Sequence, residues 1–475
     1  MTASLLADIA QRPGDTVLLT HADGHTTSLE GMFAAAANMA RRLGELGVGP
    51  GDRLLVQAEN SDQLLTFYVA CALARIAACP LDPALPPARV AGLRTTIAPK
   101  MLIDAATLTT LAAPAADPMA ALPGPDDAAE WMIIFSSGTT GEPKGIVHTQ
   151  GSLMASAKSF AALSELGPES VIYHHFPMFY MAGIFNMFLC PLVAGARIVL
   201  GQKFSQMQML SFWEEPRRHG VNHLTLTPTM ALSLCQLYRR DDKLLDHLAQ
   251  YQTIISTSST LHPSVAERFH QTFAVPLRTC YGVTEIGGSI TVQSWAEGLA
   301  FESCGAFSPE TSIRAGSDAN HPGEILVKTP FMMKGYLTRS GLSQPFDADG
   351  YFSTGDLGYV EDGRLFVTGR ENDLVKKGGE FISLGLIENL ALSLSQVAEV
   401  SVVAVPDDYW GNKIVLFYVP AAGVGMDEME NAAKDLFGAN LRKIEIPDKL
   451  IAVPWFPKTS IGKTIKRDLV SRYTL

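Results

Sequence analysis

The sequence predicts an α/β protein. A large N-terminal domain has mainly parallel sheets flanked by helices, and a small α+β domain follows it. Three observations predict this. Helical and strand signals alternate from the first residues, the pattern of parallel βα units. The chain has 475 residues, 47% of them apolar and 18% charged, which is too long for one domain and too apolar for disorder. Finally, composition shifts near residue 370, and the last hundred residues carry βα signals of their own. The expected domains are 1–370 and 371–475, joined by a short polar hinge.

Leu29 to Leu46 repeats apolar residues at helical spacing and ends at Gly47. The Gly49-Pro50-Gly51-Asp52 turn leads into a strand over 53–57. A helix is expected over 64–78, followed by a Pro-rich turn over 80–87. Residues 105–130, rich in Ala, Pro and Asp without a clean period, are expected to be a surface connection. Trp131-Met-Ile-Ile-Phe135 is long enough for a buried strand. Further strands are expected at 196–200, 223–227, 252–256, 276–280 and 324–328. The small domain should contain a helix over 384–396, strands over 399–405 and 413–419, and a helix over 426–441.

Composition also excludes functions. The formal net charge is −11, so no long-range attraction draws the chain to nucleic acid or an anionic bilayer. The six cysteines, at 71, 79, 190, 235, 280 and 304, form no CxxC and have no histidine at metal-ligand spacing. They read as reduced core residues of a cytoplasmic protein. Met1 to Pro13 lacks the cationic start and apolar run of a signal peptide. Phe176 to Ala196 contains no charged residue, but Pro177, Gly183, Asn186, Pro191 and Gly195 interrupt it. It is expected to be a buried core segment, with no stable membrane insertion.

Four strings carry chemistry. Ser136-Ser137-Gly138-Thr139-Thr140-Gly141-Glu142-Pro143-Lys144-Gly145 follows an apolar strand. Its hydroxyls and backbone N–H groups suit a phosphate, and Lys144 adds a positive charge. It is not a Walker A loop, because Gly-Lys is not followed by Ser or Thr at the required spacing. Tyr281-Gly282-Val283-Thr284-Glu285 offers an aromatic face for adenine, a hydroxyl for a phosphate and a carboxylate for Mg²⁺. In Ser353-Thr-Gly-Asp-Leu-Gly358, Asp356 can accept both hydroxyls of a ribose, and Arg370 could reach the same sugar. In Pro457 to Arg467, Lys463 follows Gly462 in a Thr/Ser/Gly loop suited to a mobile lysine. Taken singly, the last three read as a strand end with an exposed acid, a plain turn and a solvated basic tail.

In this order along nearly the whole chain, the strings resemble the adenylate-forming superfamily: acyl- and aryl-CoA synthetases, peptide-synthetase adenylation domains and luciferase. The resemblance implies a mobile small domain that meets the large one over the active site. It implies that Ser136 to Lys144 bind ATP phosphates and that Thr284 contacts the α-phosphate or the substrate carboxylate. Glu285 would hold Mg²⁺, Asp356 and Arg370 would sit at the ribose, and Lys463 would bridge carboxylate and phosphate. The hinge position falls on Asn372, where Asp or Lys is more common. The loop of Lys377, Gly378 and Gly379 would replace Lys463 when the thiol is admitted, with Lys376 and Lys377 available to CoA phosphates. The sequence departs from the family at Thr257-Ser258-Ser259-Thr260, where Gly-Gly-Ala-Pro is usual, and at Leu384 and Leu386, where Pro and Glu are usual.

The acyl pocket is expected around Pro177 to Asn186. Tyr180 stands where many CoA ligases have His. No acid is present to hold an α-amino group, and no Arg or Lys is present to hold a second carboxylate. Tyr180, Met181, Ile184, Phe185, Ser256, Gly282, Val283 and Ile286, with Met178 and Met230, would line an apolar pocket. About half of the apolar ones are expected to touch substrate and the rest only to pack. An aromatic or medium apolar monocarboxylic acid fits. The acceptor thiol is CoA or, alternatively, the phosphopantetheine arm of an acyl carrier protein supplied in trans. A nucleotide-binding protein without catalysis, or an adenylate-dependent oxygenase, is a third reading; the presence of Lys463, Glu285, Asp356 and Arg370 argues against it.

Overall fold

The computed structural model describes residues 4–135, 144–202, 204, 206–294, 303–421, 423–458 and 464–473. Among these, a 13-stranded and a seven-stranded sheet build the large domain. The larger sheet is parallel through its centre. There, strands Val17–Thr20, Arg197–Leu200, Val171–His174, His223–Leu226, Thr253–Ser256 and Arg278–Val283 lie side by side. From Gly288–Val292 onward it continues antiparallel, through Arg364–Arg370 and Phe352–Glu361. The smaller sheet is likewise mixed. Strands Met101–Asp104, Arg53–Gln57, Ala77–Pro80 and Glu130–Phe135 are parallel, and Gly145–Thr149 and Gly335–Thr338 run antiparallel beyond them. The expected parallel sheets are therefore present, each extended by an antiparallel wing.

The helices form where sequence and caps agree. Leu29–Glu45 starts at Ser28, whose hydroxyl accepts the Gly31 N–H at 3.0 Å, and buries Met32, Ala36, Met39, Ala40 and Leu43. The expected helix over 64–78 stops earlier, at Ala74, because Arg75 turns into the left-handed region (φ 55°). Ala77–Pro80 is then a buried strand between two neighbours; its alanines suggest helix, and sheet pairing overrides them. The expected connection 105–130 begins with a short helix, Ala105–Leu111, capped by Asp104 at the Thr107 N–H and packed through Leu108 and Leu111. The charge-free run folds as Met181–Ile184, a π-turn Phe185–Leu189 and Cys190–Ala194, with all of those residues but Ala194 buried. No helix of the described residues is long and apolar enough to cross a membrane. All six cysteines are free, four of them buried.

The small C-terminal domain has its own core. Helix Leu384–Leu392, strands Val397–Asp407 and Gly411–Pro420, and helix Met426–Asn440 occur close to their expected positions. A third strand, Lys449–Ala452, pairs parallel to Gly411–Pro420. Ile387, Val402, Leu416, Met429 and Phe437 close the apolar interior.

Candidate active site

In open α/β sheets, ligands bind beyond the carboxyl ends of the parallel strands. His174, Leu226, Ser256 and Val283 are the last residues of such strands. Of the motif residues, Tyr281, Thr284, Glu285, Asp356 and Arg370 gather at this edge, and Lys144 lies close by on the second sheet.

Ser136, Ser137, Gly138, Thr139, Thr140 and Gly141 lie outside the described residues, but the strands on either side are defined. Glu130–Phe135 and Gly145–Thr149 pair antiparallel, with Phe135 opposite Gly145. The phosphate-loop string thus connects two paired strands of the second sheet. A side chain at Gly145 would lie 2.7 Å from Ile133 Cγ2, so the close pairing requires glycine. Lys144 lies with its Nζ 5.2 Å from the centre of the Tyr336 ring, within cation–π range. The Tyr336 hydroxyl donates to Glu285 Oε1 at 3.0 Å.

Thr284 and Glu285 sit in a single 3₁₀ turn, Thr284–Ile286, between strands Arg278–Val283 and Gly288–Val292. The turn is tight. A Cβ on Gly282 would lie 2.0 Å from the Gly288 carbonyl oxygen, and Gly287 and Gly288 both have positive φ. The turn is held from outside as well. Met333 N–H donates to the Glu285 carbonyl at 2.8 Å, and His148 Nε2 lies 2.8 Å from the Thr284 carbonyl oxygen. Burial raises the pKa of the Glu285 carboxyl, and its own backbone N–H and the Tyr336 hydroxyl oppose the shift. A partly desolvated carboxylate anchored by one phenol suits a hard cation. No cluster of three metal-ligating side chains is found among the described residues, so phosphate and water would have to complete its shell, as Mg²⁺ prefers.

Asp356 is 3% exposed. The Tyr281 hydroxyl donates to its Oδ2 at 2.8 Å, and Arg370 Nε donates to its Oδ1 at 2.7 Å. The pair is dictated by register, since Asp356 lies directly opposite Arg370 on adjacent strands. Each carboxylate oxygen keeps a second lone pair for a further donor. The sequence offered Tyr281 as a flat face for adenine, but its ring is 8% exposed and packs in an apolar cluster with Ile146, Ile286 and Ile290. Its hydroxyl supports Asp356.

The expected acyl wall divides. Tyr180 and Val283 are half-buried and Gly282 is exposed, whereas Met178, Met181, Ile184, Phe185, Met230, Ser256 and Ile286 are buried. Phe185 lies against the bare backbone of Gly288, where an added Cβ would stand 2.8 Å from its ring. Gly183 is needed for a similar reason, the Pro177 carbonyl approaching within 2.1 Å of its absent Cβ. Burial raises the Tyr180 hydroxyl pKa, with Ser258 as a hydrogen-bonding neighbour. Ser258 itself holds φ 73°, a left-handed conformation that usually favours glycine.

In the small domain, Lys377 is 4% exposed and its Nζ pairs with Asp448 Oδ2 at 2.8 Å. It is thereby withdrawn from CoA phosphates in this conformation, leaving Lys376 as the exposed member of the pair. Gly378 and Gly379 both have positive φ at the tip of the hairpin Leu374–Lys377/Glu380–Ser383. The Gly378 N–H donates to the Trp410 carbonyl at 2.9 Å. Asn372 falls in the 3₁₀ turn Glu371–Asp373. Lys463 lies outside the described residues. The flanking Lys458 and Thr464 form an antiparallel bridge, while Lys458 pairs with Glu399 and Lys466 with Glu388. Sequence reasoning missed Tyr336 and His148. Their side-chain contacts lie 51 and 136 residues away along the chain, a separation no local pattern reveals.

The described residues bring a buried carboxylate held by Tyr281 and Arg370 close to a second carboxylate anchored by Tyr336, the arrangement of a candidate nucleotide site. Residues 6–337 match the family model described as AMP-binding enzyme, and residues 386–463 match the one described as AMP-binding enzyme C-terminal domain. The chain belongs to the AMP-binding enzyme family and is a ligase of the adenylate-forming class. It is 32% identical to an indoleacetate–CoA ligase of Aromatoleum aromaticum, over 72% of this chain and 68% of that one. It is 26% identical to a sulfoacetate–CoA ligase of Cupriavidus necator, over 99% and 97% of the two chains. The fold superimposes with a TM-score of 0.83 on o-succinylbenzoate CoA synthetase from Bacillus subtilis in complex with its acyl-adenylate intermediate, at 25% identity and covering 98% and 97% of the chains.

Proposed function

We propose that this ligase activates an aromatic or medium apolar monocarboxylic acid with ATP and transfers the acyl group to CoA. A carboxylate oxygen attacks the α-phosphorus, the bond to pyrophosphate breaks, and acyl-AMP forms. The CoA sulfur then attacks the acyl carbon, AMP leaves, and the thiol proton is lost. No general base is required for the first step, because the nucleophile is already anionic. Charge neutralisation and positioning carry it. Ser136 to Lys144 take the phosphates, Thr284 the α-phosphate or carboxylate, Asp356 and Arg370 the ribose, and Lys463 the carboxylate–phosphate bridge. Glu285 is the residue to hold Mg²⁺, which when bound would neutralise phosphate charge. Residues 1–370 and 371–475 are the two moving units, with Asn372 at the pivot.

The observation that carries this reading is the Tyr281–Asp356–Arg370 cluster standing beside the Lys144–Tyr336–Glu285 chain of contacts. The charge-free, apolar stretch around Tyr180 supports an apolar acyl group, as does the likeness to a ligase named for indoleacetate. The test is product analysis by mass spectrometry with ATP, Mg²⁺ and a panel of acids, with and without CoA. Acid-dependent AMP and an acyl-CoA are expected. Acyl-AMP and pyrophosphate without a CoA thioester would move the acceptor to a carrier protein. ADP in place of AMP would overturn the chemistry.

A further inference from the structure

Resting on the ligase reading, we infer that His148 is a positioning residue that sets the phosphate-loop strand against the Thr284–Glu285 turn. His148 lies on strand Gly145–Thr149, directly after Lys144, and is fully buried. Its Nε2 is 2.8 Å from the Thr284 carbonyl oxygen. A carbonyl only accepts, so Nε2 carries the proton and the ring is the donor. Nδ1 is then the bare nitrogen, and it is buried with no hydrogen-bond partner. The ring is thus retained at the cost of one unsatisfied atom, which makes the single Nε2 contact its polar role.

That contact links the two halves of the nucleotide site. On one side, the strand of His148 continues from the phosphate string and pairs Ile146 with Tyr336. On the other, the Thr284 carbonyl belongs to the turn that presents Thr284 and Glu285. Two backbone bonds run in parallel with it, Lys334 N–H to Val147 O at 2.7 Å and Met333 N–H to Glu285 O at 2.8 Å. His148 is the side chain that closes this bracket directly. Misplacement of the turn by a fraction of an ångström moves Thr284 and Glu285 relative to the phosphates, an error to which in-line displacement is sensitive.

The Thr284 carbonyl also accepts the Gly287 N–H at 3.1 Å, so removing the imidazole donor does not orphan it. His148→Leu keeps an apolar body of similar size and deletes the donor. His148→Gln restores an N–H donor at the same reach. Phenylacetate, indole-3-acetate and octanoate serve as acid probes, and the most active is carried forward. In acid-dependent ATP–pyrophosphate exchange, His148→Leu should lower kcat about tenfold or more, with the KM for the acid within twofold. Conversion of pre-made acyl-AMP to acyl-CoA should stay within twofold, and His148→Gln should recover most of the loss in exchange. Equal losses in both half-reactions, or no recovery with Gln, would reduce His148 to a general structural role. Wild-type kinetics in a folded His148→Leu would remove the inference while leaving the ligase reading intact. No exchange by the wild-type protein with any acid would overturn both.

Discussion

Acidification should unfold this protein well above the range where carboxylates titrate. Four histidines are buried and held neutral. Burial lowers the pKa of His148, His175 and His223 to about 4 and that of His174 to about 3. In the unfolded chain each returns to about 6.5. Above pH 6.5 both states are neutral and the four contribute no pH dependence. Between 6.5 and about 4 the unfolded state binds protons that the native state refuses, so stability falls as pH falls. Below about 4 only His174 still adds to the loss, which ends below about 3. With four protons involved, the slope approaches about 5 kcal/mol per pH unit below pH 5.5. By pH 5 the accumulated loss is roughly 8 kcal/mol, comparable with the whole stability of an ordinary domain. The assay is urea unfolding followed by tryptophan fluorescence at half-unit steps from pH 8 to 5. The native state should be lost between about pH 5 and 6. Replacing His223 by Gln should reduce the slope by about one proton, or about 1.4 kcal/mol per pH unit. A stability that stays flat from pH 7 to 5.5 would refute the argument.

Four further outcomes follow from the site. Lys463→Ala should keep ATP binding, read by calorimetry, while acyl-AMP formation falls by several orders of magnitude; full activity would exclude the proposed bridge. Asp356→Asn removes the negative charge and replaces one of the two oxygens that accept from Tyr281 and Arg370 with an NH2 donor, and the KM for ATP should rise at least tenfold in pyrophosphate exchange. Gly282→Ala drives a methyl group to within 2.0 Å of the Gly288 carbonyl, so an active variant would show that the Thr284–Glu285 turn tolerates displacement. Lys377→Met removes the cation paired with Asp448, which is solvent-exposed and keeps the Ile414 N–H, and should lower stability by about 1 kcal/mol, measured as a shift in the unfolding midpoint.

Much of this protein is legible where chemistry is local. The helix after Ser28 and the strand Arg53–Gln57 follow from a cap, a period and a turn that lie within a few residues of each other. The same holds for the two long strands of the small domain. The failures have one cause. Ala77–Pro80 is a strand because its neighbours Arg53–Gln57 and Glu130–Phe135 need it, and its own residues carry little β signal. At the site, the motif strings identify Asp356, Arg370 and Glu285, but not what each touches. That Tyr281 spends its hydroxyl on Asp356, and that Lys377 turns inward to Asp448, depends on packing across sheets and loops. Tyr336 and His148 carry no motif signal in themselves; only the fold gives them a role.

Arg370 is the last residue of its strand, bonded to Asp356, and the turn Glu371–Asp373 comes immediately after it. On the proposed pivot at Asn372, the hinge lies immediately past a strand whose last residue is bonded to Asp356. Swinging the small domain about that hinge would leave Asp356 at rest. The nucleotide could stay seated through both halves of a catalytic cycle while a different face of the small domain is dealt to it each time, much as a turret changes tools over a clamped workpiece.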